Sequence, residues 1–268
     1  MIDRREKTTF DAVAALYDRR RPSYPEALVA DVIGLSGIGP QGHILEIGCG
    51  TGKATLPFAR RGYRMLCLEL GENLARVAAA NLAPYPQVTV QQVAFEAWPL
   101  EAAAFDLVFS AQAFHWIDPA VRLVKTAAAL RPSGTLALFW NQYPSLPEPL
   151  GSALEALYRE RAPALAAKRT GRDPDELVEI IAGDIENSGY FQRPVVRLYP
   201  WTARYTARAF VELLNTYSDH LMLEESVRRD LLAAVEAVIN EHGGVVQRPY
   251  RAVLFAARPV QGKKTTHS

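Results

Sequence analysis

The segment Ile44-Leu45-Glu46-Ile47-Gly48-Cys49-Gly50-Thr51-Gly52-Lys53 constrains this chain more than any other. A short apolar run enters three glycines at alternate positions, and a helical pattern follows. Glycine permits both a sharp turn and close backbone approach to a ligand. Open α/β sheets bind ligands at such turns, beyond the carboxyl end of a parallel strand. Details decide which ligand. A phosphate loop needs GxxxxGK[ST], but Ala54 follows Gly52-Lys53 and Ile47 stands five positions before Gly52, so the motif fails twice. A dinucleotide fingerprint, GxGxxG, fits Gly48 and Gly50 but meets Lys53 at its third position. Glu46 is a poor neighbour for a pyrophosphate and suits a ligand with a positively charged end. A bare carboxylate in an apolar strand is costly. Pairing with loop N–H groups, with a ligand ammonium, or with both is therefore expected.

The pattern around this loop alternates. Apolar runs at 43–47, 64–69, 88–93, 106–110 and 135–140 read as strands, and 53–61, 72–81 and 119–130 read as helices. Strands alternating with helices imply βαβ units and a parallel sheet. Near-continuous apolar strands fit a sheet covered on both faces. After Trp140 the rhythm breaks at Pro144, Pro147 and Pro149. Helices over 150–167 and 175–188 follow, then strands over 195–201 and 251–257. Between those strands lie helices over 207–217 and 224–241. The last of these presents Val227, Leu231, Val235 and Val238 as one face, and Gly243-Gly244 ends it. Upstream, a helix over 8–20 stops at Arg21-Pro22-Ser23-Tyr24-Pro25 and another spans 26–35. The expected organisation is an N-terminal helical lid (1–40), an α/β core (41–141), a helical insertion capping the substrate (142–190), a C-terminal part of the core (191–260) and a tail (261–268).

Charge and cysteine content exclude several classes. Lys and Arg total 30 against 29 Asp and Glu, a net charge of +1, which argues against nucleic acid as partner. Cys49 and Cys67 are the two cysteines. They support neither a disulfide scaffold nor a Cys/His metal site. The charged start, Met1 to Lys7, lacks the apolar core of a secretion signal. No apolar run approaches the ~18 residues of a membrane span. A reducing cytoplasm is the expected setting, with no membrane partner. Nothing in the sequence sets an oligomeric state.

Glu69 closes the second strand, about 20 residues after the loop, where an acidic side chain accepts hydrogen bonds from ribose hydroxyls in this topology. Glu46-x-Gly48-x-Gly50-x-Gly52 with Glu69 resembles the class I S-adenosylmethionine-dependent methyltransferases. Phe105-Asp106-Leu107-Val108-Phe109 looks like that family's fourth strand. Leu130-Arg131-Pro132-Ser133-Gly134 looks like its turn before the fifth. Ala111-Gln112-Ala113-Phe114-His115-Trp116 and Tyr17-x-x-x-Arg21-Pro22-x-Tyr24-Pro25 resemble a narrower subgroup, the trans-aconitate methyltransferase-like small-molecule enzymes. The likeness covers residues 10–141 well and the remainder weakly.

The resemblance implies a doubly wound, seven-stranded Rossmann-like sheet, mostly parallel with one antiparallel strand, plus a helical cap. It implies S-adenosyl-L-methionine as cofactor, a small-molecule substrate and no metal. Gly48, Cys49 and Gly50 would lie against the methionine part, Glu46 near its ammonium, and Glu69 with Leu70 at the ribose. Phe95 and Glu96 would line the adenine pocket, although Phe95 suits the core equally. Ala111 and Gln112 complete the cofactor set. Tyr17 and Arg21 would form a lid, with the Arg21 guanidinium on the methionine carboxylate; the bland reading is a solvated basic run. His115, Trp116, Trp140 and Asn141 would face the substrate, and His115 is the candidate general base. The Cys49 thiol is expected to be inert, and Gly52 to serve helix packing. Arg193, Arg197, Arg204 and Arg208, near Tyr199, Trp201 and Tyr205, suggest a lid for a flat or carboxylate-bearing molecule, or a solvated face. The rivals are a nucleotide-dependent oxidoreductase and a non-catalytic cofactor-binding protein.

Overall fold

The computed structural model describes residues 9–169 and 173–260. The expected tail (261–268) and the start of the lid (1–8) lie outside the described residues. Helix α1 (Ala14–Arg20) follows a 3-10 turn at Asp11–Val13, so the first expected helix is shorter and less regular than its apolar spacing suggests. Helix α2 spans Glu26–Ser36 and stops at Gly37, which adopts φ 65°.

The core then runs through β1 (His43–Ile47), α3 (Thr55–Ala59), β2 (Arg64–Glu69), α4 (Glu72–Leu82), β3 (Val88–Gln92), β4 (Phe105–Ala111), α5 (Pro119–Ala129) and β5 (Leu130–Gln142). Helix α3 begins later than expected because the chain first closes a turn, in which the Gly52 N–H donates to the Cys49 carbonyl at 2.9 Å. Helix α5 starts where chemistry dictates: Asp118 accepts from the Ala120 N–H at 2.9 Å and Pro119 occupies the first helical position. The expected turn at 131–134 is instead extended backbone, and β5 begins at Leu130. Phe105 pairs with Leu130 and Leu107 with Thr135, with an irregularity between. Gly134 allows this approach, since a Cβ there would lie 3.1 Å from the Phe105 carbonyl oxygen.

Helices α6 (Leu150–Arg161), α7 (Pro163–Arg169) and α8 (Pro174–Asn187) follow, then β6 (Val195–Thr206), α9 (Ala207–Leu214), α10 (Ser218–Leu221), α11 (Glu225–Glu241) and β7 (Val245–Ala257). The last two strands outrun their expected lengths. Trp201 stacks on Tyr250 at 4.5 Å, and the Tyr205 and Tyr250 hydroxyls bond at 2.9 Å, which extends the pairing of the two strands. In α11 the buried face is Leu231, Leu232, Val235 and Ile239. Val227, expected on that face, is exposed.

The sheet has seven strands in the order β3-β2-β1-β4-β5-β7-β6. The pairs from β3 to β5 are parallel, and β7 runs antiparallel to both neighbours. The order reverses direction between β1 and β4, so the loops after these strands border the topological switch point where such sheets take ligands.

The chain divides into two units. One comprises Ser23–Asn141, Asp175–Tyr199 and Ala252–Ser268 and holds the α/β core, with Leu45, Leu68, Val108, Leu136 and Phe255 among its buried residues. The other comprises Met1–Pro22, Gln142–Pro174 and Pro200–Arg251 and has its own apolar cluster, which includes Leu154, Tyr158, Phe210, Leu213, Leu231 and Val235. Among the described residues no helix is long and apolar enough to cross a membrane.

Candidate cofactor site

The glycine turn joins β1 to α3 and is held in place by the end of β2. The Gly48 and Cys49 N–H groups both donate to the Leu68 carbonyl, at 2.8 and 3.1 Å. The Gly50 N–H donates to Glu69 Oε2 at 2.8 Å, and the Gly71 N–H to Glu69 Oε1 at 2.9 Å. Glu69 is therefore a buried clamp on the loop and not the exposed strand-end charge of its bland reading. Gly48 has φ 72°, and a Cβ there would lie 2.4 Å from the Ala113 Cβ. The turn after β1 thus touches the turn after β4, and only glycine permits the contact. Gly52 has φ 86°, and a Cβ would meet Leu82 of α4 at 3.2 Å, in keeping with a packing role.

Glu46 is wholly buried in β1. Its Oε2 accepts from the Thr55 hydroxyl at 2.6 Å and from the Cys67 thiol at 3.8 Å. Its Oε1 has no hydrogen-bond partner among the described residues. The loop N–H groups, expected to pair with this carboxylate, are spent on Leu68 and Glu69 instead. Burial, opposed by the Thr55 and Cys67 hydrogen bonds, raises the Glu46 pKa to about 8. The sequence reading missed both partners. The register of β1 against β2, which sets Glu46 opposite Cys67, is the signal that finds one of them. Both cysteines are buried and free, and their thiol pKa values are raised, Cys49 chiefly by Cys67 and Cys67 chiefly by burial, so both are poor nucleophiles.

Beyond β4, Gln112 takes φ 59°, a strained value for a side-chain-bearing residue and a pointer to function. Its N–H donates to the Phe139 carbonyl at 3.0 Å and its Nε2 to the Asn141 carbonyl at 3.2 Å. Asn141, buried, donates from Nδ2 to the Ser23 carbonyl at 3.2 Å, while Tyr24 packs edge-on against Phe139 at 4.8 Å. The Ser23-Tyr24 segment is thereby tied to the end of β5. The Trp140 Nε1–H donates to His115 Nδ1 at 3.2 Å, and the His115 and Trp116 rings lie 4.6 Å apart. An indole only donates, so Nδ1 is the acceptor and the neutral ring carries its proton on Nε2. His115 is exposed by area. Even so, crowding by the surrounding protein, followed by the Arg122 charge, lowers its pKa to about 4. The geometry makes His115 a neutral hydrogen-bond donor through Nε2.

The remaining expected residues have the following surroundings. Phe95 is buried in the core beside Trp98, with Lys125 Nζ at 5.3 Å from its ring centroid. Lys125, another residue that the sequence reading missed, also donates to the Glu96 carbonyl at 3.0 Å. Glu96 Oε1 accepts from the Asp118 N–H at 3.2 Å. Leu70 is partly exposed just past β2. Tyr17 and Arg21 belong to the unit that lacks the glycine loop. There Arg21 donates to Thr216 and Tyr143 and lies 5.1 Å from the Tyr17 ring centroid. Arg193 pairs with Glu179 and Glu186, Arg197 with Asp31, and Arg208 with Glu212.

Comparison with known proteins agrees with this geometry. Residues 45–138 match the family model described as a methyltransferase domain. An uncharacterised methyltransferase of Mycobacterium tuberculosis is 29% identical over 256 residues, covering 93% of this chain and 95% of that one. The solved structure of a protein from Anaeromyxobacter dehalogenans, described as a type II methyltransferase, superposes with a TM-score of 0.59 at 23% identity, over 89% of this chain and 97% of that one. A Haemonchus contortus phosphoethanolamine N-methyltransferase, solved with S-adenosylhomocysteine, has a TM-score of 0.53 at 15% identity, over 94% of this chain and 58% of that one. The strand order, the glycine turn clamped by Glu69 and the match over 45–138 lead to one conclusion: residues 45–138 form a methyltransferase domain on the Rossmann-like fold of the class I methyltransferases.

Proposed function

We propose that the chain transfers a methyl group from S-adenosylmethionine to a small molecule. The observation that carries this reading is the Glu46 carboxyl group, wholly buried beside the glycine turn with one oxygen unpartnered. A buried acceptor without a donor is costly, and the ammonium of a bound amino-acid group would relieve that cost. The Gly48 backbone, where a Cβ cannot be accommodated, suits close approach of the same ligand. The residues present therefore fit this cofactor. A Haemonchus relative in fold was solved with the demethylated cofactor, which supports the reading. No relative reported above favours an oxidoreductase.

When bound, S-adenosylmethionine supplies an electrophilic methyl group. The chain's own residues bind and align. Glu46 holds the ammonium, and the Gly48-Cys49-Gly50 backbone packs along the amino-acid end. Glu69 accepts from the ribose hydroxyls while it holds the Gly50 N–H. Leu70, Phe95 and Glu96 border the adenine, with Phe95 acting from the core. Ala111 and strained Gln112 close the far side of the turn. His115, Trp116, Trp140 and Asn141 face the acceptor, and His115 donates from Nε2 to an acceptor oxygen or nitrogen. Displacement at a methyl group depends chiefly on proximity and alignment.

Mass spectrometry of the purified chain with S-adenosylmethionine and a panel of small carboxylic acids, phenols and amines tests the proposal. A product heavier by one methylene unit in any class supports it. Calorimetry that shows tight binding of a nicotinamide dinucleotide and none of S-adenosylmethionine overturns it.

A further inference from the structure

The unit without the glycine loop contains two arginines whose surroundings differ from those of their neighbours. Arg20 and Arg208 pair with Glu212. Arg21 and Arg248 have only neutral partners among the described residues. Arg21 donates from Nε to the Thr216 hydroxyl at 2.9 Å, from Nη2 to the Thr216 carbonyl at 2.7 Å and from Nη1 to the Tyr143 hydroxyl at 3.4 Å. Its guanidinium lies 4.3 Å from the Tyr217 ring centroid. Arg248 spends one donor, from Nη1 to the Pro144 carbonyl at 2.7 Å. Its guanidinium lies 5.4 Å from the Tyr143 centroid and 5.8 Å from that of Tyr250.

Tyr143 links the two cations. Its ring lies 5.6 Å from both Tyr217 and Tyr250, and the residue is 40% exposed, so the cluster opens to solvent at this point. The phenols do not neutralise the arginines as phenolates, because burial raises the pKa values of Tyr217 and Tyr250. Two guanidinium groups beside Tyr143, neither with a carboxylate partner among the described residues, favour an anion. The edge of Arg248 that has no hydrogen-bond partner among the described residues, its Nε and Nη2, is a planar two-donor fork. That edge matches a carboxylate, and the ring walls match an apolar or aromatic body.

We propose that the Arg21–Arg248 tyrosine cluster binds the carboxylate of a small organic acid with an apolar or aromatic body. Assigning that acid as the methyl acceptor rests on the function proposed above; the binding site itself does not. The same carboxylate chemistry occurs on the amino-acid end of the cofactor, so the test must separate the two sources.

The full chain is titrated with phenylacetate, benzoate and hexanoate, with phenylacetamide as the neutral isostere, with inorganic phosphate and, separately, with S-adenosylhomocysteine. Calorimetry is read alongside intrinsic tryptophan fluorescence, to which Trp201, stacked on Tyr250, contributes. The expected result is that at least one acid binds, and that phenylacetate binds at least about tenfold tighter than its amide. Arg248→Gln should lose at least about tenfold in acid affinity, and Arg248→Lys should recover only part, since an ammonium lacks the fork. Affinity for S-adenosylhomocysteine should not change in Arg248→Gln. Arg248 is the position to vary because its single backbone bond makes it less important to folding than Arg21; circular dichroism checks the variant.

The proposal is overturned if none of the acids binds, if acid and amide bind alike, or if a folded Arg248→Gln binds acid as the parent does. Tighter binding of phosphate than of any acid also overturns it. Loss of S-adenosylhomocysteine affinity in Arg248→Gln assigns the cluster to the cofactor and overturns it as well. Acid binding by a chain that fails to bind S-adenosylhomocysteine supports the site while refuting the methyltransferase reading.

Discussion

Replacing Glu46 by Gln isolates the most unusual group in the cofactor site. The substitution keeps shape and one acceptor but cannot titrate. Burial lifts the Glu46 pKa from 4.5 to about 8 in the folded chain. Between those values the folded state holds a proton that the unfolded chain has lost. Stability contributed by that proton is complete below pH 4.5 and disappears as pH rises through about 8. At 1.36 kcal/mol per unit, the shift is worth about 5 kcal/mol at most, or a fall of about 1.4 kcal/mol per pH unit within the window. Urea unfolding at about pH 5, 6.5 and 8 should therefore show the advantage of Glu46→Gln over the parent widening with pH, by up to about 4 kcal/mol across the series. Binding offers a second readout. At pH 7 a group of pKa about 8 is about nine-tenths protonated, and a ligand ammonium would expel that proton. Calorimetry of S-adenosylhomocysteine in buffers of different ionisation enthalpy should show release of up to about 0.9 proton from the parent and markedly less from the variant. A stability difference constant across the pH series, with equal proton release from both chains, would refute the reasoning.

Gly48→Ala combines a left-handed backbone with a Cβ 2.4 Å from that of Ala113; it should cost about 1–3 kcal/mol in stability and at least about tenfold in cofactor affinity, read by denaturation and calorimetry. Glu69→Ala leaves the Gly50 and Gly71 N–H groups without their acceptor, so both unfolding free energy and cofactor affinity should fall by about 1–3 kcal/mol; a folded variant unchanged in both would mean that the clamp is idle. His115, with a pKa lowered to about 4, should contribute no inflection to the pH–rate profile between about pH 5.5 and 8. His115→Gln, which retains a donor, should stay within about tenfold of the parent rate, whereas His115→Ala should fall further.

The glycine loop, the alternating strands and helices, and Glu69 at the end of β2 were all legible in the sequence, because each rests on local chemistry. Glycine marks positive φ, apolar runs mark strands buried on both faces, and strand–helix alternation restricts topology. The resemblance built on those residues supplied the antiparallel strand. Element lengths were less legible. Residues 131–134 read as a turn from Pro132 and Gly134, yet pairing with β4 draws them into β5. The ends of β6 and β7 depend on Trp201, Tyr205 and Tyr250, which meet only after the chain has folded.

Only tertiary structure decided the state of the side chains. Sequence places Glu46 in an apolar strand, but the hydroxyl of Thr55, the thiol of Cys67 and one unpartnered oxygen come from three separate elements. The histidine in Ala111-Gln112-Ala113-Phe114-His115-Trp116 suggests a base, whereas the indole of Trp140 at the end of β5 sets its tautomer. Arg19-Arg20-Arg21 reads as a single basic run, yet folding gives Arg20 a carboxylate and surrounds Arg21 with phenols. Residue type and spacing determine which groups a chain offers. Which of them are desolvated, and beside what, depends on segments far apart in sequence, and that desolvation sets their charge and their chemistry.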